Sequence, residues 1–349
     1  FDYVMSALMG RIKDTEIVLG GLQDCIENFS ESSQVIYTGC GSANNAARVG
    51  ALAMEEIGKL MTRNMPSGEL KYRDALVDDK SWLVTVSQSG ETADVIGCIK
   101  NMKAKGASVL GVVNTPNSTI YQMTDCGIHI RAGKEVSVAS TKAVTNQMLA
   151  MLLMAYKIGL ENGCSYREYK EFIKEAQQLP YFINKVIAQE GKISGICATY
   201  KDSKTAFVIG RNALEPIADE IALKIKEISY IHAEGYSGSE LKHGPLALID
   251  DQILNICLLD KNFYPEKTIS NIEEIRARGG KVILITNYTK HEIGNKIYDR
   301  LISAETGNNK YITAMVFNII GQVVSYHLAL QNGRDVDLPR NLAKSVTVE

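Results

Sequence analysis

Short apolar runs alternate with longer stretches of helical spacing along most of the chain. Val35–Thr38, Leu83–Val86, Ser108–Val113 and Gly127–Ile130 are strand-like, and Asn44–Leu60 and Thr92–Lys105 between them are helix-like. Apolar runs of this length alternating with helices predict a parallel sheet covered on both faces. The rhythm returns at Ala206–Ile209, Leu254–Leu259 and Lys281–Thr286. Its spacing also returns: 48 residues separate Gly39 from Ser87 and 49 separate Gly210 from Leu259, and 26 separate both Ser87 from Val113 and Leu259 from Ile285. One α/β unit is therefore expected twice, although the two halves share little side-chain identity. The expected layout is an N-terminal helical segment (1–30), a first domain (31–160), a polar, helical connection (161–195), a second domain (196–334) and a tail (335–349). Pro339 stops any helix before it. The tail is poor in Gly and mixes apolar with charged residues, which argues against a frayed end.

Length and composition narrow the class. With 349 residues, 45% of them hydrophobic, two cores are affordable. Lys and Arg (38) nearly balance Asp and Glu (40), for a net charge of −2. No global field favours nucleic acid or an anionic membrane, so neither is an expected partner. The seven cysteines are odd in number and none form a Cys-x-x-Cys pair. This predicts no disulfide framework and no zinc site, and it fits a reducing, cytoplasmic compartment. No charged-then-apolar leader opens the chain, and no uninterrupted apolar run is long enough to span a bilayer. The first residue is Phe1 rather than Met, which leaves room for a longer natural product.

Three loops carry the candidate binding chemistry. After the strand Leu83–Val86 comes Ser87-Gln88-Ser89-Gly90-Glu91-Thr92, then a helix. This places three hydroxyls, an amide and the N–H groups of a helix start at the edge of a parallel sheet where ligands bind. Plain capping needs a single hydroxyl, so the cluster points to a phosphate. A second loop, Gly39-Cys40-Gly41-Ser42-Ala43-Asn44, follows the first strand. It lacks the third Gly and the acidic residue of a dinucleotide fingerprint. The third, Glu135-Val136-Ser137-Val138-Ala139-Ser140-Thr141-Lys142, precedes another helix.

Candidate acid–base chemistry lies on one helix face. Glu220, Lys224 and Glu227 are spaced by four and three residues, and Ile221, Leu223, Ile225 and Ile228 flank them. Such triplets are ordinarily surface ion-pair ladders. The apolar flanks predict partial burial instead, and a partly buried carboxylate–ammonium face is suited to proton transfer.

Together these stretches resemble the sugar-isomerase (SIS) domain family. More narrowly, they resemble the isomerase part of the glutamine–fructose-6-phosphate transaminase (glucosamine-6-phosphate synthase) family. The similarity rests on Ser87–Thr92, Glu135 with Val138–Lys142, Lys224–Ile231, Glu240–Leu248 and Asp335–Glu349, which span nearly the whole chain. Ser-Gln-Ser-Gly-Glu-Thr alone indicates only a sugar-phosphate domain. Glu-Leu-Lys-His-Gly-Pro-Leu-Ala-Leu and the closing Pro-Arg-Asn-Leu-Ala-Lys-Ser-Val-Thr-Val-Glu are far more specific.

The resemblance implies an α/β protein of two SIS domains, each a parallel sheet between helical layers, a homodimer, and no cofactor or metal. It implies formation of glucosamine 6-phosphate from fructose 6-phosphate and ammonia, which a separate glutaminase domain, absent from this chain, releases from glutamine. On the same resemblance Glu227 is the general base, Lys224 its catalytic neighbour and Glu220 a supporting carboxylate. His243 opens the sugar ring in the neighbouring subunit, and Lys344 forms a Schiff base with the ketone. Ser42, Ser87, Gln88, Ser89, Thr92, Val138, Ser140 and Ala343 bind substrate. His129, His232, His291 and His327 are expected to be structural. The tail is expected to fold over the sugar site with Leu342 and Val346 buried. Where the family has Cys-Gly-Thr-Ser, this chain has Cys40-Gly41-Ser42-Ala43 and so loses one hydroxyl. Two other readings are a different SIS enzyme, such as a deglycase, and a non-catalytic sugar-phosphate sensor. The tail and the His243 loop count against the first, and the joint presence of Glu227, His243 and Lys344 counts against the second.

Overall fold

The structure, a computed structural model, describes residues 1–294 and 296–344. The chain forms two compact units. The first comprises Phe1–Val136, Ser140–Gln177 and, from the tail, Ala343 and Lys344; the second comprises Ser137–Ala139 and Gln178–Leu342.

The first unit is built on β1 (Gln34–Thr38), β2 (Thr62–Asn64), β3 (Ser81–Ser87), β4 (Ser108–Val113) and β5 (Cys126–His129). They lie in the order β2-β1-β3-β4-β5, and every neighbouring pair is parallel. The second unit is built on β6 (Thr205–Gly210), β7 (His232–Ser237), β8 (Leu254–Leu259), β9 (Lys281–Thr286) and β10 (Arg300–Ser303). Their order is β10-β9-β8-β6-β7, again parallel throughout. Counted from its own first strand, the second sheet repeats the strand order of the first. Every residue of β3 and β8 is buried, as expected of central strands covered on both faces. Strand order reverses between β1 and β3, and again between β6 and β8. The loops leaving those carboxyl ends diverge and open a crevice at each reversal.

Helices cover the sheets. In the first unit α1 (Ser42–Glu56) and α2 (Ala93–Ala104) follow β1 and β3, and α3 (Lys142–Glu161) is buried along most of its length. Helices α1 and α3 meet through glycines: a Cβ on Gly50 would lie 2.5 Å from the Met151 sulfur, and one on Gly159 would strike the Ile57 carbonyl. The predicted connection, 161–195, contains the amphipathic helix α4 (Tyr166–Ile187), with Tyr169, Phe172, Leu179 and Phe182 buried, and the start of a shorter helix at Glu190–Ala198. In the second unit α5 (Glu215–Ser229) and α6 (Pro265–Arg276) follow β6 and β8. Helix α7 (Lys310–Gln331) packs on α5, with Gly321 against the Ile221 side chain.

One expectation needs correction. Cys25 and Cys126 are joined as a disulfide, with Cα atoms 6.8 Å apart across a sequence separation of 101. Spacing along the chain did not reveal the pair, because the fold brings Cys25 to the first residue of edge strand β5. Helices α3 and α7 pass the length and composition test for a membrane span, although polar residues interrupt each run. The tested windows are 89% and 83% buried inside the protein, so the apolar surface is already covered.

Candidate functional site

The first crevice is lined by backbone and hydroxyls. Ser87 ends β3 and is buried, and its hydroxyl accepts the Gly90 N–H at 3.0 Å and lies 3.5 Å from the Thr92 hydroxyl. The Ser89 hydroxyl accepts the Glu91 N–H at 3.1 Å, while the Gln88 carbonyl accepts from Thr115 at 3.2 Å. Gly90 has φ +73°, and a Cβ there would overlap Ser118, so both conformation and space require glycine. Thr92 is the N-cap residue of α2, yet its side chain makes no cap hydrogen bond. That weighs against the simple capping reading, since the hydroxyl faces Ser87 rather than the helix N–H groups, at a helix start suited to an anion. Across the strand reversal, β1 leads through Gly39, Cys40 and Gly41 (φ +53°) to half-buried Ser42 at the start of α1. Burial pushes the Cys40 thiol above its usual range, which makes it a neutral thiol rather than a thiolate.

The third loop holds a buried carboxylate. Glu135 Oε1 accepts the Thr141 and Ala143 N–H groups at 2.8 and 3.2 Å, at the start of α3. Its Oε2 lies 3.0 Å from the Lys344 Nζ. Lys344 and Ala343 thus belong to the same unit as Ser42, the Ser87–Thr92 loop and Ser140. Val138 falls in the second unit, where its N–H donates to the Asp337 carbonyl at 3.1 Å.

Helix α5 carries the charged face of the second unit. Glu220 and Lys224 are 1% and 2% exposed and Glu227 is 19% exposed, so this is no surface ladder. Lys224 Nζ lies 3.6 Å from Glu220 and donates a short hydrogen bond to Glu227 Oε2. An ammonium this deeply buried needs such partners, because its desolvation is otherwise costly. His243 closes the short turn Leu241–His243, before Gly244 with φ +147°. It is exposed, and the described residues give its imidazole no hydrogen-bond partner.

Sequence reasoning assigned no role to Glu135 or Tyr230, both of which hold the tail. Tyr230 follows the last turn of α5 with φ +63°. Its hydroxyl accepts the Arg340 N–H at 2.8 Å, and the guanidinium groups of Arg340 and Arg334 sit 4.4 and 5.0 Å from its ring centre. The expected burial of Leu342 is not met, since it is 48% exposed. Polar anchors, rather than an apolar face, fix this part of the tail. Val346 lies outside the described residues, as does the rest of 345–349. No group of three or more metal-ligating side chains converges among the described residues.

Comparison with known proteins places these features among relatives. The SIS-domain family model matches residues 28–157 and 199–331. The glutamine–fructose-6-phosphate aminotransferase of Chlorobaculum tepidum is 37% identical over 339 residues, covering 97% of this chain and 55% of that protein. That of Thermus thermophilus is 38% identical over 347 residues, covering 99% of this chain and 56% of the relative. The chain therefore spans about half the length of the curated relatives it matches. Among solved structures, the C-terminal domain of glucosamine-fructose-6-phosphate aminotransferase from Francisella tularensis superposes with a TM-score of 0.92 at 33% identity. It covers 97% of this chain and 95% of that one.

Proposed function

The chain belongs to the SIS-domain family, and from that premise we propose that it is the isomerising part of a glutamine–fructose-6-phosphate aminotransferase, converting fructose 6-phosphate and ammonia to glucosamine 6-phosphate. The other half of the natural protein is then a glutaminase domain that supplies the ammonia. The Ser87–Thr92 loop, with Ser42, holds the phosphate, and Val138, Ser140 and Ala343 contact the sugar. His243 of a neighbouring copy in a homodimer opens the ring, a step suited to imidazole near neutrality. Its exposure within its own chain is in keeping with service to another copy. The Lys344 amine then bonds to C2 as the carbonyl oxygen leaves as water, and ammonia displaces the lysine. Glu227 takes a proton from C1 and returns it to C2, which converts the ketose skeleton to an aldose. We place the setting in the cytoplasm, which five free cysteines favour and the single Cys25–Cys126 disulfide does not.

The observation that carries this reading is Lys224, a buried ammonium held between two carboxylates on one helix face. A sugar-phosphate sensor has no use for it, whereas a base that must move a proton between adjacent carbons needs a fixed, partly desolvated position. The test is an assay for glucosamine 6-phosphate from fructose 6-phosphate and ammonium chloride. Product from the folded chain, lost in Glu227→Gln, is expected. Its absence under conditions where fructose 6-phosphate demonstrably binds would overturn the enzyme reading.

The shared-site claim has its own test. Mixing inactive His243→Ala chains with inactive Glu227→Gln chains is expected to restore activity, because one hybrid site regains both groups. No recovery in verified hybrid dimers would refute it.

A further inference from the structure

We propose that Glu135 is a positioning residue for Lys344, fixing the amine that attacks the ketone; the inference rests on the reading of Lys344 given above. The two residues are 209 apart in sequence, so no local turn brings them together. The Glu135 side chain is 2% exposed, and Oε1 is committed to the Thr141 and Ala143 N–H groups at 2.8 and 3.2 Å, with the Thr141 hydroxyl at 3.4 Å. Those bonds tie the carboxylate to the first turn of α3 and leave it little rotational freedom. They leave Oε2 aimed at Lys344, whose Nζ lies 3.0 Å away with the side chain 28% exposed. Charge-assisted bonds of this length are directional and strong. A carboxylate this buried is costly without a cation, so the pair specifies where the end of the tail must lie. A solvated tail lysine would sweep through many rotamers, whereas this one is held at a single point on the unit that carries the Ser87–Thr92 loop. The ammonium gives up a proton to solvent, which reaches its 28% exposed side chain, before the free amine attacks, and an amine that must meet one carbonyl carbon gains from such preorganisation.

The experiment compares wild type, Glu135→Gln, Glu135→Asp and Lys344→Ala by borohydride trapping with fructose 6-phosphate, peptide mapping and equilibrium binding of the sugar. Gln keeps an acceptor oxygen for the Thr141 and Ala143 N–H groups and replaces the charged acceptor that faces Lys344 with an amide NH2, which cannot accept from it. The expected result is a wild-type adduct on Lys344, none in Lys344→Ala, and at least a tenfold lower yield in Glu135→Gln. Sugar affinity is expected to stay within twofold, and Glu135→Asp, which keeps the charge on a shorter arm, to fall between.

An unchanged yield in Glu135→Gln overturns this inference and leaves the reading of Lys344 standing. Parallel losses of sugar affinity and adduct overturn it too, because they assign Glu135 to the fold of the loop alone. No wild-type adduct overturns the reading of Lys344 and this inference with it. Should Glu135→Gln fail to fold, Glu135→Asp decides, and full wild-type yield there overturns the proposal.

Discussion

The two units share a strand order but differ at the equivalent crevice. In the first, β3 runs into a loop of hydroxyls around Gly90 and a helix start whose cap residue makes no side-chain cap hydrogen bond. In the second, β8 runs into Asp260, a carboxylate only 3% exposed that accepts from Asn262 and Asn287 at 2.9 Å. The cavity beside it, lined by Arg211, Asn212, Asp260, Phe263, Thr268 and Lys310, measures about 10 Å³. That is room for about one water. A buried carboxylate in a filled crevice is a poor seat for a phosphate. The second unit instead carries its chemistry on α5, the helix after its first strand, as a buried ammonium and two carboxylates. On the function proposed here, one architecture serves binding in one copy and proton transfer in the other, because loops and helix faces, not strand order, carry function.

Five substitutions would break or sharpen that contrast. The largest effect is expected from Glu227→Gln, which should lower kcat by about 10²–10⁴-fold, the usual contribution of a general base, with KM little changed. Steady-state kinetics check this, and a KM effect alone would move Glu227 from catalysis to binding. Lys224→Met leaves two carboxylates without their cation and should destabilise the protein by roughly 3–5 kcal/mol, as measured by urea unfolding. Thr92→Val removes one hydrogen bond to a charged group, worth about 1.5–3 kcal/mol, and should raise KM at least tenfold with kcat nearly intact. Asp260→Asn in the second unit should leave KM unchanged. Equal effects of the two on KM would erase the division between the units. Ala43→Ser restores the family's hydroxyl and should lower KM by up to about tenfold, the smallest of the non-zero effects.

Much of the fold was legible because central strands advertise themselves. Ser108–Val113, Leu254–Leu259 and Lys281–Thr286 coincide with β4, β8 and β9, each a nearly continuous buried run. Within the two five-stranded sheets, the strands that escaped prediction, β2, β7 and β10, all sit at the edges and are largely half-exposed. A strand with one neighbour and a polar face leaves no unbroken apolar run to find. The charged face of α5 was legible for the opposite reason, because helical spacing and its apolar flanks survive in one dimension. The pairing of Glu135 with Lys344 was not, since it depends on chain return over 209 residues. Nor was the Tyr230 clamp on Arg340, which needs a left-handed tyrosine at the end of α5. Hydrophobic pattern read only part of the tail correctly: Val336 packs against Ala139, Ile228 and Ala329, but Leu342 stays exposed.

The division of labour between the units is tested most directly by a crystal structure of the chain soaked with fructose 6-phosphate. The account predicts phosphate density within hydrogen-bond distance of Ser87, Gln88, Ser89 and Thr92, and none beside Asp260. Phosphate seated in the second crevice, against Arg211 and Lys310, would contradict it.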